Sequence, residues 1–219
     1  MGFLFRKSKK EAVPLIATGK EVSTPYENGN NCLQMIVDNW DVQSIGRYDV
    51  FAKVLYESQK FDDPLHYLAC AYACHYSKAE YRKKAIEYFE KYLENPIPCS
   101  VPEFNILQIY RDVAQDYEGE YDFKSAEKYY ILAIQNNDMR YYSSATHQWD
   151  LLPEESMLGR LYLKISTQKA LDYWQSLMKN DFYINGDPTL TGYRRSVDIE
   201  YKKALEKHEK GYVYRPRKK

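Results

Sequence analysis

With 219 residues, the chain is long enough to bury one core of its own. Nine Gly and nine Pro are too few for a loop-rich β protein, so the composition favours helix. The formal net charge is zero, but residues 1–10 and 215–219 contain eight of the 31 Lys and Arg residues. The body between them has 23 Lys and Arg against 31 Asp and Glu, a net charge of −8. This acidic body argues against broad binding to a nucleic-acid backbone, which needs a concentrated positive surface.

The two ends of the chain differ from the body. Residues 1–30 mix charge, Pro, Gly and Asn without periodicity, which predicts a flexible basic lead-in. Residues 211–219 are predicted to form a basic C-terminal tail. No stretch reaches the roughly 18 apolar residues of a membrane span, and residues 1–5 are too short for the apolar part of a signal peptide. Because the four cysteines lie in a chain without a leader, we expect reduced thiols and a cytoplasmic protein.

Apolar residues at a spacing near 3.6 predict helices from residue 31 to residue 210. Two short helices within 31–60 are expected to form an N-terminal cap. Three helix pairs follow, and a last helix caps the C-terminal end. The pairs are predicted at 65–78 with 81–94, 102–118 with 122–136, and 154–165 with 167–179, and the last helix at 194–210. Short connections within each pair impose antiparallel neighbours. No run alternates with a period of two, so no sheet is predicted.

Three stretches, residues 72–96, 113–138 and 158–181, share one pattern of small and aromatic residues. In each, a small residue of the first helix precedes a tyrosine by three positions, and a second small residue precedes a large aromatic by four. The small residues are Ala73, Ala114 and Gly159, then Ala85, Ala126 and Ala170. The aromatic residues are Tyr76, Tyr117 and Tyr162, then Phe89, Tyr130 and Trp174. Small residues let two helices approach closely, and aromatic residues fill the wedge between neighbouring pairs.

This pattern resembles the tetratricopeptide repeat, whose signature is clearest at Leu158-Gly159, Tyr162, Ala170 and Trp174. The resemblance covers roughly residues 65–181. It implies an all-α fold in which antiparallel helix pairs stack as a short α-solenoid, with the first helix of each pair lining a concave surface. The equivalent alanines are 41 and 44 residues apart, against about 34 in the family, so the repeats are divergent. A helical bundle without repeats is the alternative.

The resemblance assigns a peptide-binding groove to the first helices of the pairs. The predicted groove residues are Cys70, Cys74, Lys78, Arg111, Gln115, Ser156, Arg160 and Lys164. Their Lys and Arg side chains would make the groove locally positive, and a guanidinium binds a carboxylate through two parallel hydrogen bonds. We therefore expect a non-catalytic scaffold or adaptor, without a cofactor, whose partner is a protein or a peptide with acidic groups.

Three other interpretations stay open. His66, Cys70 and Cys74 offer metal-ligating side chains, but at a helical rise they span about 12 Å, which is too long for one tetrahedral zinc ion. An enzyme or regulator with a site assembled across several helices would leave no local motif. A nucleic-acid or membrane-surface accessory would act through the basic tails. The sequence singles out no catalytic residue and no metal site.

Overall fold

The computed structural model describes residues 24–41, 46–137, 142–143, 148–184 and 188–216. These residues form ten α-helices and one pair of two-residue strands. The helices are α1 (Gly29–Val37), α2 (Arg47–Ser58), α3 (Pro64–His75), α4 (Arg82–Glu94), α5 (Ile106–Gly119), α6 (Phe123–Gln135), α7 (Pro153–Ile165), α8 (Thr167–Leu177), α9 (Asp181–Ile184) and α10 (Thr191–Glu209). The strands β1 (Tyr142–Ser143) and β2 (Gln148–Trp149) pair antiparallel. Single 3-10 turns form at Pro25–Glu27, Ala79–Tyr81, Pro102–Phe104 and Pro188–Leu190.

The fold is all-α, as the apolar spacing predicts. The expectation of no strand pairing is wrong at β1 and β2, which were too short to show an alternating pattern. The boundary predicted at residue 30 falls inside α1, and the remainder of the predicted lead-in, residues 1–23, lies outside the described residues. The N-terminal cap consists of α1 and α2, and the last helix begins a little earlier than predicted, at Thr191.

Local capping explains where several helices begin. The Asp63 carboxylate accepts hydrogen bonds from the first turn of α3, and Pro64 follows it at a position where a missing N–H costs nothing. The Asn105 side chain accepts from the backbone N–H of Gln108 at 2.9 Å, so α5 begins later than its predicted start at residue 102. Ser166 caps α8 in the same way. These polar side chains satisfy backbone donors that a helix leaves unpaired at its start.

The helices pack as consecutive pairs: α3 with α4, α5 with α6, and α7 with α8. Each pair also contacts the next, through α4 with α5 and α6 with α7, while α8 contacts α10. The N-terminal helices α1 and α2 both pack on α3. The small residues at the helix crossings are buried, and a Cβ on Gly159 would overlap the ring of Trp174, which is 1% exposed. Glycine at this position therefore lets α7 and α8 approach closely.

The chain after α10 returns to the middle of the molecule. Gly211 has a left-handed φ of 63°, a conformation that costs glycine little. The ring of Tyr214 then lies 6.0 Å from that of Phe123 at the start of α6. The Lys164 ammonium near the end of α7 lies 5.5 Å from the centre of the same tyrosine ring. The last described residues thus contact two helices that precede α8 in the chain.

Candidate functional site

The predicted groove runs along α3, α5 and α7, and its first part is a buried polar network between α3 and α5. The Tyr72 hydroxyl donates to Asp112 Oδ2 at 3.1 Å, and the Gln108 amide donates to the same carboxylate at 2.8 Å. His75 Nδ1 lies 2.9 Å from Asp116 Oδ2. Asp112 and Asp116 are only 3% and 4% exposed. Both carboxylates are therefore bound by side chains of the same chain.

Burial and charge act in opposite directions on this network. Burial lowers the pKa of His75, but the hydrogen bond and charge of Asp116, with the charge of Asp112, raise that pKa above its usual value. Burial raises the pKa of Asp112, against the opposing effect of His75 and of the Gln108 hydrogen bond. Protonated His75 is thus stabilised by the two carboxylates that face it.

Arg82 of α4 contacts this network at the C-terminal end of α5. Its Nη1 donates to the carbonyl oxygen of Gly119 at 3.1 Å and lies 3.6 Å from a Glu120 carboxylate oxygen. Its Nε lies 3.7 Å from Asp116. A Cβ on Gly119 would overlap the guanidinium, so the absence of a side chain there makes room for this contact. The network consequently joins α3, α4 and α5.

The second part of the predicted groove, between α5 and α7, consists of two ion pairs. Arg111 Nη1 lies 3.3 Å from Glu154 Oε1, and the Glu154 side chain is only 1% exposed. Lys164 contacts Glu118, which also accepts a hydrogen bond from the Tyr130 hydroxyl at 2.8 Å. A buried carboxylate needs its cation, because the charge has lost its hydration. Arg111 and Lys164, which were predicted to line a groove for an acidic partner, therefore link neighbouring helices through carboxylates of the same chain.

The two predicted groove cysteines are not accessible. Cys70 and Cys74 are 0% and 1% exposed, and burial raises the pKa of each thiol to about 12. The Cys70 thiol lies 3.9 Å from the carbonyl oxygen of Leu55 in α2. Helix α2 therefore covers α3 at Cys70, while Cys74 borders a small cleft beside His75 and Arg82. Neither thiol lies on an open groove, contrary to the prediction from the sequence. His66 is buried on the same helix, with Nε2 at 2.9 Å from the carbonyl oxygen of Tyr26.

Lys78, which follows α3, and Gln115 of α5 lie near the C-terminal end of α3. They line a small polar cleft of about 180 Å³ together with His75, Arg82 and Asp116. This cleft is bordered by the buried network, so most of its polar atoms already have partners. Lys78 is exposed and makes no ion pair within the described part of the chain.

Ser156 and Arg160, the remaining two predicted residues that face solvent, line an open groove between α7 and α10. The groove consists of two clefts of about 380 and 480 Å³ that share Glu200. From α7 and the residues before it come Asp150, Leu151, Leu152, Pro153, Ser156, Arg160 and Leu163. From α10 come Ser196, Ile199, Glu200, Lys203, Glu206, Lys207 and Lys210. We call this surface the α7–α10 groove.

The two ends of the α7–α10 groove differ in charge. At one end, Asp150 accepts a hydrogen bond from Ser196 Oγ at 2.7 Å, next to Ile199, which is 41% exposed. The other end contains Arg160, Lys203, Lys207 and Lys210. Lys203 pairs with Glu200 at 2.6 Å, and the Lys210 pair with Glu206 is long and exposed.

Arg160 is a cation at the basic end of the groove. It is exposed and has no ion-pair partner among the residues that the structure describes. Its guanidinium is therefore available to a carboxylate from outside the chain, which it can bind through two parallel hydrogen bonds.

The sequence-based site missed α10, which was predicted only to cap the array. The lining positions on this helix recur every three or four residues, which places them on one helical face. The recurrence of polar and basic residues on this face of α10 was the signal in the sequence that could have indicated the groove.

Two findings, on metal-binding groups and on membrane-spanning helices, apply to the described residues alone. They include no group of three or more His, Cys, Asp or Glu side chains that could hold a metal ion. None of their helices is both long enough and apolar enough to cross a membrane.

The architecture defines an all-α protein of consecutive helix pairs. No family model matches the chain, and neither a curated protein nor a solved structure is similar enough to count as a match.

Proposed function

We propose that this protein is a non-catalytic scaffold that binds a peptide segment of a partner protein in the α7–α10 groove. The observation that carries the proposal is the open groove itself, which is apolar at the Ile199 end and basic at the Arg160 end. The residues from 196 to 210 on α10 span about 21 Å at a helical rise. An extended peptide of about six residues has this length.

The charges of the groove indicate the chemistry of the ligand. Apolar side chains of the peptide would contact Leu151 and Ile199, and acidic side chains would pair with Arg160 and Lys207. This polarity fixes the direction of the peptide, because the reversed peptide would place its carboxylates beside Asp150 and leave the basic end unpaired.

Two features support the repeat family and the cellular compartment that we propose. The contacts between successive helix pairs are those expected for a tetratricopeptide-like array, and we propose that the chain is a divergent example. The four cysteines, Cys32, Cys70, Cys74 and Cys99, are all free thiols, which supports a reducing compartment such as the cytoplasm.

The proposal is tested with peptides selected from a random display library on the full-length protein. We expect the selected peptides to combine apolar and acidic residues. The double variant Arg160→Glu/Lys207→Glu should weaken their binding at least tenfold, since it reverses two charges at the basic end. The measurement is the dissociation constant by fluorescence anisotropy.

Lys202→Glu is the matched control, because Lys202 is an exposed lysine of α10 that does not line the groove. It should leave the affinity unchanged. Equal losses for the control and the double variant, or no loss for either, would show that the groove is not the binding site.

A further inference from the structure

A second cleft lies far along the chain from the α7–α10 groove, between α2 and the segment that joins α3 to α4. It has a volume of about 450 Å³, within the range of roughly 300–1,000 Å³ typical of ligand sites. Its lining residues are Tyr48, Phe51, Ala52, Leu55, Tyr56 and Gln59 of α2, with Ser77, Lys78, Tyr81 and Lys84. We call it the tyrosine cleft.

The tyrosine cleft lies along a face of α2 that adjoins the face packed on the core. Val54 and Ser58 are buried towards the core, and Phe51 is buried at the floor of the cleft. The lining positions of α2 recur at intervals of three or four residues, so they share a second face of the helix. A helix with one covered face and one open aromatic face is typical of an interaction surface.

The walls of the tyrosine cleft are exposed aromatic rings. Tyr48, Tyr56 and Tyr81 are 46%, 66% and 39% exposed. Tyrosine is enriched at protein interfaces, because it offers a large apolar ring together with a hydroxyl that can bond at the rim. An apolar side chain that enters the cleft would meet Phe51 and Leu55 at its floor.

The charged side chains that line the tyrosine cleft are cationic. Lys78 and Lys84 are the ionised side chains among its described lining residues. Arg47 lies over the Tyr48 ring at 4.6 Å, and Lys60 lies over the Tyr56 ring at 4.5 Å. Glu57 offsets only Lys60, at 2.6 Å. The surroundings therefore favour a ligand with carboxylates.

We propose that the tyrosine cleft binds a segment of a partner protein in which one aromatic side chain is flanked by Asp or Glu. The aromatic side chain fills the space between the tyrosine rings, and the flanking carboxylates pair with Lys78 and Lys84. The site is independent of the α7–α10 groove and does not rest on the function proposed for it. An anionic membrane surface is less favoured, because the apolar atoms at the floor are recessed between two elements, where a flat surface does not reach them.

The test uses three blocked pentapeptides and the full-length protein. The probe is acetyl-Glu-Glu-Phe-Glu-Glu-amide, and its two controls replace Phe by Ala or all Glu by Lys. We expect the probe to shift the backbone amide resonances of α2 and of residues 77–84. The Ala and the Lys peptides should each bind at least tenfold more weakly. Equal binding by the Lys peptide, or shifts confined to other helices, would overturn the proposal.

Two variants and two matched controls locate the contact. Tyr81→Ala and the charge reversal Lys84→Glu should each weaken the probe at least fivefold. Tyr212→Ala is the control for the first, since Tyr212 is equally exposed at 39%. Lys83→Glu is the control for the second, because Lys83 is exposed on the same helix and does not line the cleft. Circular dichroism should show the same helix content in all four variants, and equal losses in variants and controls would contradict the proposal.

Two measurements distinguish the other occupants. If vesicles of phosphatidylcholine with phosphatidylserine bind the protein and Tyr81→Ala abolishes that binding while the probe has no effect, the cleft is a membrane contact and the proposal is wrong. If sedimentation shows a dimer that Tyr81→Ala dissociates, the occupant is a second copy of the chain and the proposal is again wrong. A monomer that binds the probe and not the vesicles supports it.

Discussion

The α3–α5 network and the α7–α10 groove differ in what covers them, although the same helical spacing predicted an open face for both regions. At α3, the N-terminal helix α2 covers Cys70, and Cys74 is also buried, next to the α3–α5 network. At α7, the next helix along the stack leaves a groove, and Ser156 and Arg160 line it. A helical face is thus a binding surface only where no later or earlier element of the chain covers it.

The comparison predicts very different effects for two arginines of the predicted groove. Arg111→Ala should lower the free energy of unfolding by about 3–5 kcal/mol, because it leaves the Glu154 carboxylate buried without its cation. Arg160→Ala should change it by less than about 0.5 kcal/mol, since its side chain is exposed. Urea unfolding followed by circular dichroism measures both. Similar values for the two variants would show that Arg111 is not a structural residue.

Thiol labelling tests the burial of α3. At pH 8, Cys99, which is half-buried, should react first with a chromogenic disulfide, and Cys70 and Cys74 should react about a hundredfold more slowly. Burial raises the pKa of each of the two slow thiols to about 12, so few thiolates are present. Cys99→Ser should remove the fast phase, and all rates should converge in urea. Since Cys32 of α1 is a fourth thiol, the decisive variant is Cys32→Ser/Cys99→Ser, and a fast phase that persists in it would contradict the burial of Cys70 and Cys74.

Gly159→Ala tests the close approach of α7 and α8. The added methyl group would overlap the Trp174 ring, and we expect a loss of about 2 kcal/mol in the free energy of unfolding, as for other overpacked cores. Combining it with Trp174→Phe, which shortens the ring system, should recover part of the loss relative to the sum of the single variants. Strict additivity in thermal or urea unfolding would contradict the contact.

A smaller loss than that of Gly159→Ala is expected from the pH dependence of the α3–α5 network. Folding raises the pKa of His75. Protonated His75 therefore stabilises the folded state fully below about pH 6.5, and this stabilisation is lost as the pH rises through the folded-state pKa. His75→Gln should therefore cost about 1 kcal/mol more at about pH 6, where the facing carboxylates are still ionised, than at about pH 9. The exposed His208, changed to Gln, is the control. A cost that grows with pH would contradict the assignment.

The helices could be predicted from the sequence because their signals are local. Asp63-Pro64 marks the start of α3, and the apolar spacing can be recognised within a single helix. The exposure of each face could not be predicted in this way. It depends on partners distant in the chain, such as Glu154 for Arg111, which is 43 residues away. Half of the predicted groove residues are paired or buried for this reason.

The segment after Gly211 affects how α10 can separate from the other helices. In an array of helix pairs, each pair contacts only its neighbours, so the last helix can separate while the middle remains folded. Here Tyr214 contacts Phe123 and Lys164, and this contact fastens the final segment to α6 and α7. Detachment of α10 by fraying from its C-terminal end must first break a contact with the middle of the molecule. Hydrogen exchange in α10 should accordingly accelerate when the chain is shortened to end at residue 211.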